Sequence, residues 1–392
     1  MTDISRASTA LQEENLDAWL FYNYHHRDPV ADRVLSVPRQ AFNTRPWIYL
    51  LRRDGSAVKL LHSIEARNLD HLPGEQKVFT SREQFVEKLR TLSAGLRRTA
   101  CQFSTELPQL SFIDHGQARL LESCGFHLVS SAPLIQRFLG VLSAEGVESH
   151  RRAAGALYAI VEEVWQRLRR EMRGEASLWE STVQGWILSL FEERGLHTDS
   201  APIVAAGPHS ADPHYSPDSS ESKGGAVLRR GDVLQLDLWA KDKAPGSIYA
   251  DISWVGVLES RAPAEVQRAF QAVLQARELA VRIIGDALQA GESPTGEQVD
   301  RQVRAFLQEA GYGGSLRHRT GHGIDEEVHG FGVNLDSVEF PDHRRLLEGS
   351  CFSVEPGVYL ADFGLRSEIN VYISAGRPVI SGGKPQTELL VF

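Results

Sequence analysis

The sequence predicts an α/β domain over residues 1–145 and an α+β domain with an internal repeat over 146–392. Three observations carry this. A chain of 392 residues is longer than one hydrophobic core usually organises. Its first part alternates short apolar segments with helical patterns. Its second part runs twice through a long helix, a short helix and a strand that is entered through glycine and interrupted by an acid.

The elements follow in order. Residues 18–24 are an apolar, aromatic strand candidate, and strands at 47–51 and 57–61 flank the hairpin signal Asp54-Gly55. A helix is expected over 82–96, a strand near 100–103, a helix over 116–124 stopped by Gly125, and a strand at 126–129. His25-His26 and Asp28-Pro29 are expected in a loop, and this domain shows no chemical motif. Leu157, Ile160, Val161, Val164, Trp165, Leu168 and Met172 then recur at helical spacing, with Gly174 as the stop. A shorter helix carries Val183, Trp186, Ile187, Leu190 and Phe191. A second long helix runs from after Pro263 to about residue 290, and a second short one over 298–310.

The short helices end alike, as LFEERG at 190–195 and FLQEAG at 306–311. Asp237 stands six residues after Gly231, and Glu355 six after Gly349. Another acid follows one hairpin later in each half: Asp251 after 14 residues, Glu368 after 13. A pseudo-twofold axis between the halves brings the four carboxylates to one centre.

Composition excludes several classes. Hydrophobic residues at 42% and charged residues at 24% exclude a fibrous or largely disordered chain. The net charge of −9 argues against nucleic acid as a partner. No apolar run approaches the ~18–20 residues of a membrane span, and the first residues carry no secretory pattern, so a cytoplasmic protein without a membrane partner is expected. Cys101, Cys124 and Cys351 are scattered without a CxxC, which argues against a disulfide framework or structural zinc.

Each of the four acids interrupts or adjoins an apolar strand, where an ionised carboxylate is costly unless paired or metal-bound. Four converging carboxylates raise one another's pKa, and a divalent metal resolves that. Carboxylates with an imidazole suit Mn, Co, Fe or Zn. The imidazole comes from a glycine-flanked histidine cluster over 318–330, with His318, His322 and His329. Glycines beside His322 allow close backbone approach and unusual dihedrals. A third histidine pair, His209 and His214, lies in GPHSADPHY at 207–215.

With these motifs assembled, the chain resembles the pita-bread metallopeptidases, the family of methionine aminopeptidase, aminopeptidase P, prolidase and creatinase, and most of all its Xaa-Pro peptidases. The resemblance rests on HRTGHGI at 318–324, SVEPGVY at 353–359 and GLRSE at 364–368, and extends more weakly to a creatinase-like N-terminal domain. It implies a pita-bread catalytic domain and five metal ligands, Asp237, Asp251, His322, Glu355 and Glu368. They would hold two divalent ions per chain, with Mn preferred over Co, Zn or Fe, and Asp251 and Glu368 would bridge them. Glu355 would also be the general base. His214, His318 and His329 would line the substrate pocket, one of the latter two stabilising the oxyanion. Arg366 would orient Asp237 or Glu368, or receive a substrate carboxylate. The implied activity is release of the N-terminal residue from Xaa-Pro substrates by a homodimer acting on small peptides, with a dipeptidase preferred over an aminopeptidase. The alternatives are another metal-dependent C–N hydrolase of a small solute, like creatinase or ectoine hydrolase, and a binding module that has lost catalysis.

Three departures from the family pattern stand out. The Asp237–Asp251 hairpin is longer than usual, with extra residues around 241–247 that bear on access to the site. Asp325 replaces a common glycine, and Ile369 a common acid.

Overall fold

The computed structural model describes residues 4–174, 177–217 and 224–391. The chain divides into two units, Met1–Leu139 and Gly140–Phe392.

The first unit holds strands β1 (Ala18–Asn23), β2 (Trp47–Arg52), β3 (Ala57–His62), β4 (Glu75–Phe79), β5 (Thr99–Cys101) and β6 (Leu128–Ser130). They form one mixed sheet in the order β4-β3-β2-β1-β5-β6. The Asp54-Gly55 signal makes the expected antiparallel β2–β3 hairpin, with Gly55 at φ 83° and the Asp54 carboxylate accepting from the Ser56 N–H. Helices α1 (Ile4–Glu13), α2 (Pro29–Val34), α3 (Arg82–Ser93), α4 (His115–Ser123) and α5 (Ala132–Leu139) complete it. Phe85, Leu89 and Leu92 of α3 bury themselves against Leu20, Leu50 and Leu60 of the sheet. Each such side chain contributes roughly 1.5–3 kcal/mol on burial.

The loop expected at His25-His26 and Asp28-Pro29 is only half a loop. His25 and His26 take left-handed backbone (φ 56° and 53°), and Asp28 then caps α2, accepting from the Ala31 N–H at 3.0 Å with Pro29 in the first helical turn.

In the second unit, α6 (Ala144–Glu171) and α7 (Glu180–Glu193) precede β7 (Leu196–His197), β8 (Ile203–Ala206), β9 (Val233–Asp242) and β10 (Ala250–Val257). Then α8 (Ala264–Gln289) and α9 (Gly296–Leu307) precede β11 (Cys351–Val354), β12 (Gly357–Tyr359), β13 (Gly364–Arg366), β14 (Ile369–Ser374) and β15 (Arg377–Ile380). Strand β9 pairs with β10 on one edge and with β7 and β8 on the other; β11, β14 and β15 form a second antiparallel sheet, and β12–β13 a separate hairpin. The repeat is therefore two helix pairs, each laid on an antiparallel strand pair.

Alternation decides which face carries the chemistry. Leu234, Leu236 and Leu238 of β9 and Ile252 and Trp254 of β10 pack on Leu157, Val161, Val164 and Leu168 of α6. Gln235, Asp237 and Trp239, with Asp251 and Ser253, therefore take the opposite face. In the second half Phe352, Val354, Ile369 and Val371 join the α8 core, which turns Ser353 and Glu355 and Glu368 and Asn370 the other way. Asn370 stitches the halves together: its side chain accepts from the Asp251 N–H at 2.8 Å and donates to the Asp251 carbonyl at 2.6 Å. The Glu368 N–H donates to the Ser253 carbonyl at 3.2 Å.

Candidate metal centre

The two strand pairs bring Asp237, Asp251, Glu355 and Glu368 to the wall of one cavity of about 430 Å³. His214, His322, His329 and Arg366 line the same cavity, together with Asp199, Ile203, Tyr215, Trp239 and Val328. His318 is not among its lining residues. Its Nε2 lies 2.7 Å from the Tyr359 hydroxyl, and its Nδ1 lies 2.7 Å from the Arg319 carbonyl, so both ring nitrogens have partners within the protein. His209, the other histidine of the 207–215 motif, sets its Nδ1 3.0 Å from the buried Glu180 carboxylate and stacks on Tyr215.

His322 is positioned by close backbone packing. A Cβ on Gly321 would stand 2.0 Å from the Ser353 carbonyl oxygen, and one on Gly323 2.5 Å from a Gly332 backbone carbon. Neither glycine has positive φ. Space, not an unusual dihedral, demands glycine here. The His322 N–H donates to Ser353 Oγ at 2.9 Å, and the Ser353 N–H returns a bond to the His322 carbonyl. Asp300 fixes the approach to this loop by accepting from the Thr320 N–H and hydroxyl at 2.9 and 2.6 Å. His322 Nδ1 lies 3.3 Å from the Gly323 carbonyl, which assigns the proton to Nδ1 and leaves the Nε2 lone pair facing the acids. Nε2 is 3.5 Å from Asp251 Oδ2 and 3.6 Å from Glu355 Oε1.

Arg366 is the counter-charge already present. It is ion-paired with Asp237, donates to Ser253 Oγ at 2.9 Å and to the Tyr359 hydroxyl at 3.3 Å, and lies 3.7 Å from Glu355. These contacts hold the guanidinium against Asp237 on the cavity wall. Ser253 Oγ lies 2.6 Å from Asp237 Oδ1 and 2.9 Å from Glu368 Oε2, but its single proton can serve only one of them.

One arginine does not balance four acids. Burial, and then the neighbouring carboxylates, push Asp251 and Glu368 well above the usual carboxylate range. Burial lowers His322 to about 4. His329 falls to about 3, first through His322, whose ring centroid is 4.4 Å away, and then through burial. Both imidazoles are neutral at pH 7. Asp251 Oδ1 and Glu368 Oε1 are buried without a hydrogen-bond partner. Ligand atoms of Asp251, His322 and Glu368 lie within 4.8 Å of one another. Two orphaned carboxylate oxygens beside an imidazole lone pair fit a divalent cation, which would supply the missing partner and the missing charge.

Sequence reasoning missed Ser253, Trp239 and Asn370. The signal was available for all three: each stands two residues after a predicted acid and so shares its face.

The sequence profile of metallopeptidase family M24 matches residues 148–375, more than half of the chain. The chain belongs to metallopeptidase family M24. This M24 chain is 30% identical over 174 residues to the Xaa-Pro dipeptidase of Lactobacillus delbrueckii subsp. lactis, across 44% of this chain and 42% of that protein. It is 31% identical over 190 residues to the probable dipeptidase PepE of Mycobacterium tuberculosis, across 48% and 45%. These matches span somewhat less than half the length of either relative. The fold is shared more widely. The dipeptidase PepE of Mycobacterium ulcerans superposes with a TM-score of 0.74 at 22% identity, covering 99% of this chain and 96% of that one. The X-Pro aminopeptidase of Thermotoga maritima gives 0.63 at 23%, covering all of both chains. At such identities the likeness concerns the pita-bread architecture alone. Among the described residues no helix is long and apolar enough to cross a membrane.

Proposed function

We propose that this chain is a metal-dependent exopeptidase that hydrolyses Xaa-Pro bonds at the amino terminus of dipeptides or short peptides. The observation that carries the reading is the pair of buried, unpartnered oxygens on Asp251 and Glu368 beside the His322 lone pair. In this reading Asp237, Asp251, His322, Glu355 and Glu368 would together hold two divalent ions. Bound there, the ions supply Lewis-acid polarisation and lower the pKa of water from ~15.7 towards ~7.

The remaining roles belong to the chain. The Glu355 carboxylate takes up the proton released on attack and passes it to the leaving nitrogen. His329, neutral and on the cavity wall, donates its N–H to the developing oxyanion. His318, hydrogen-bonded to Tyr359, steadies the Tyr359–Arg366–Asp237 arrangement instead. His214 positions the substrate. Proline offers no N–H to an enzyme that grips extended backbone, and the apolar wall of Ile203, Trp239 and Val328 supplies a surface for its ring.

The dipeptidase form is preferred over the aminopeptidase form because several relatives carry that name. Mn²⁺-loaded protein is expected to release the first residue from a series of Xaa-Pro, Xaa-Pro-Yaa and longer peptides, with the dipeptide cut best. Loaded protein that leaves the whole series intact overturns the reading. Cleavage of a different small amide would favour the C–N hydrolase alternative.

A further inference from the structure

The long β9–β10 hairpin does more than extend a sheet. Trp239 follows Asp237 by two residues and pairs directly with Asp251 across the hairpin, so its indole rises from the same face as the acids. The indole N–H donates to Asp199 Oδ1 at 3.1 Å, and the Ser200 hydroxyl donates to the same oxygen at 3.1 Å. Both bonds fall on Oδ1, and no hydrogen bond among the described residues reaches Oδ2. Asp199 lines the cavity, yet it lies outside the set of acids clustered around His322. It forms no ion pair among the described residues. The lining residues include one arginine, Arg366, and Asp237 already holds it. The cavity thus has on its solvent-facing wall a carboxylate held by Trp239 and without an ion-pair partner among the described residues, whose charge adds to that of Asp251.

An exopeptidase substrate presents its own cation, the α-ammonium group, one carbon away from the carbonyl under attack. We propose that Asp199 binds the free α-ammonium group of the substrate and that Trp239 holds the carboxylate in place for it. The inference rests on the exopeptidase reading and names the group that this subsite recognises. Asp199 is then a substrate-binding residue, and the hairpin that is long for the family carries its anchor.

Asp199→Asn tests this, because the amide keeps an acceptor for the Trp239 N–H while losing the charge. The substrates are a Xaa-Pro-Yaa tripeptide and its des-amino analogue, in which hydrogen replaces the α-amino group. With Mn²⁺-loaded enzyme, the wild type is expected to favour the amine, and Asp199→Asn to lose about fivefold of that preference, a factor that one charge contact near water supports. The loss is expected in KM, with bound metal by elemental analysis matching wild type. Calorimetric binding of leucine amide against 4-methylpentanamide, its des-amino counterpart, reads the same preference without turnover. If wild type cuts the tripeptide and Asp199→Asn keeps the full amine preference, this inference is wrong and the exopeptidase reading stands. If wild type cuts no peptide, the exopeptidase reading fails. Calorimetry then decides on Asp199: a preference lost in Asp199→Asn supports it, and a preference retained overturns it.

Discussion

His150 shows how one buried side chain sets a pH limit. It is fully buried, with Nδ1 2.6 Å from the Tyr249 carbonyl and Nε2 2.7 Å from the Ser381 hydroxyl, and burial lowers its pKa to about 4. The unfolded chain takes up this proton near pH 6.5, whereas the fold refuses it until about 4. Its contribution to stability is therefore complete above pH 6.5 and drains away as pH falls towards 4, by up to about 3 kcal/mol. His150→Gln is expected to lower stability at pH 7.5 by roughly 1–3 kcal/mol through lost hydrogen bonds, and to flatten the decline between pH 6.5 and 4. Denaturant unfolding across that range checks both; an unchanged slope would contradict the assignment. At this scale the sequence was legible wherever chemistry interrupts a pattern. An acid inside an apolar strand stands out, as Asp237 and Glu355 do. The direction of a side chain does not: His318 shares a motif with His322 but turns to Tyr359.

Elements explain why glycine is required at some positions and tolerated at others. The His322 loop lies against β11 with no room for a side chain at Gly321. Gly321→Ala is expected to destabilise by more than about 2 kcal/mol, since backbone must move, and to displace His322 enough to reduce bound metal. Gly155 lies exposed inside α6 with nothing within 4 Å of its would-be Cβ. Gly155→Ala is expected to stabilise by about 0.5–1 kcal/mol. Thermal unfolding of the two variants, with metal analysis, tests the pair. The long helices α6 and α8 were legible because they bury a full stripe, and the β2–β3 hairpin because its turn needs Asp-Gly. Helix α1, whose buried face is Ala7, Ala10 and Leu11, offers too little apolar contrast to be seen. Strand β4 escaped notice as an edge strand that buries only Phe79, so no alternation marks it. The second repeat also hid an insertion: the hairpin β12–β13 separates Glu355 from Glu368, so similar spacing in the two halves covers different paths.

For the whole molecule, the acids that gather in the second unit set a conflict that a cation resolves. Asp251 and Glu368 titrate above their unfolded values. The metal-free fold should therefore lose stability as pH rises above the ordinary carboxylate range, because the unfolded chain ionises them at less cost. A divalent cation reverses this. At a hundredfold excess over its Kd it stabilises by about 2.7 kcal/mol. Melting temperatures of chelator-treated protein at pH 5 and 8, with and without Mn²⁺, are expected to show the larger metal-induced rise at pH 8. An equal rise at both would count against metal capture by these acids.

The Asn370 stitch has a temporal meaning as well. During synthesis Glu368 joins the chain 131 residues after Asp237, and Asn370 follows it before Asp251 can be clasped from the other half. A ribosome-bound fragment that stops short of them holds only part of the acid cluster. On the proposed reading, a nascent chain cannot complete its acid cluster until residue 368, late in the second unit, has been added.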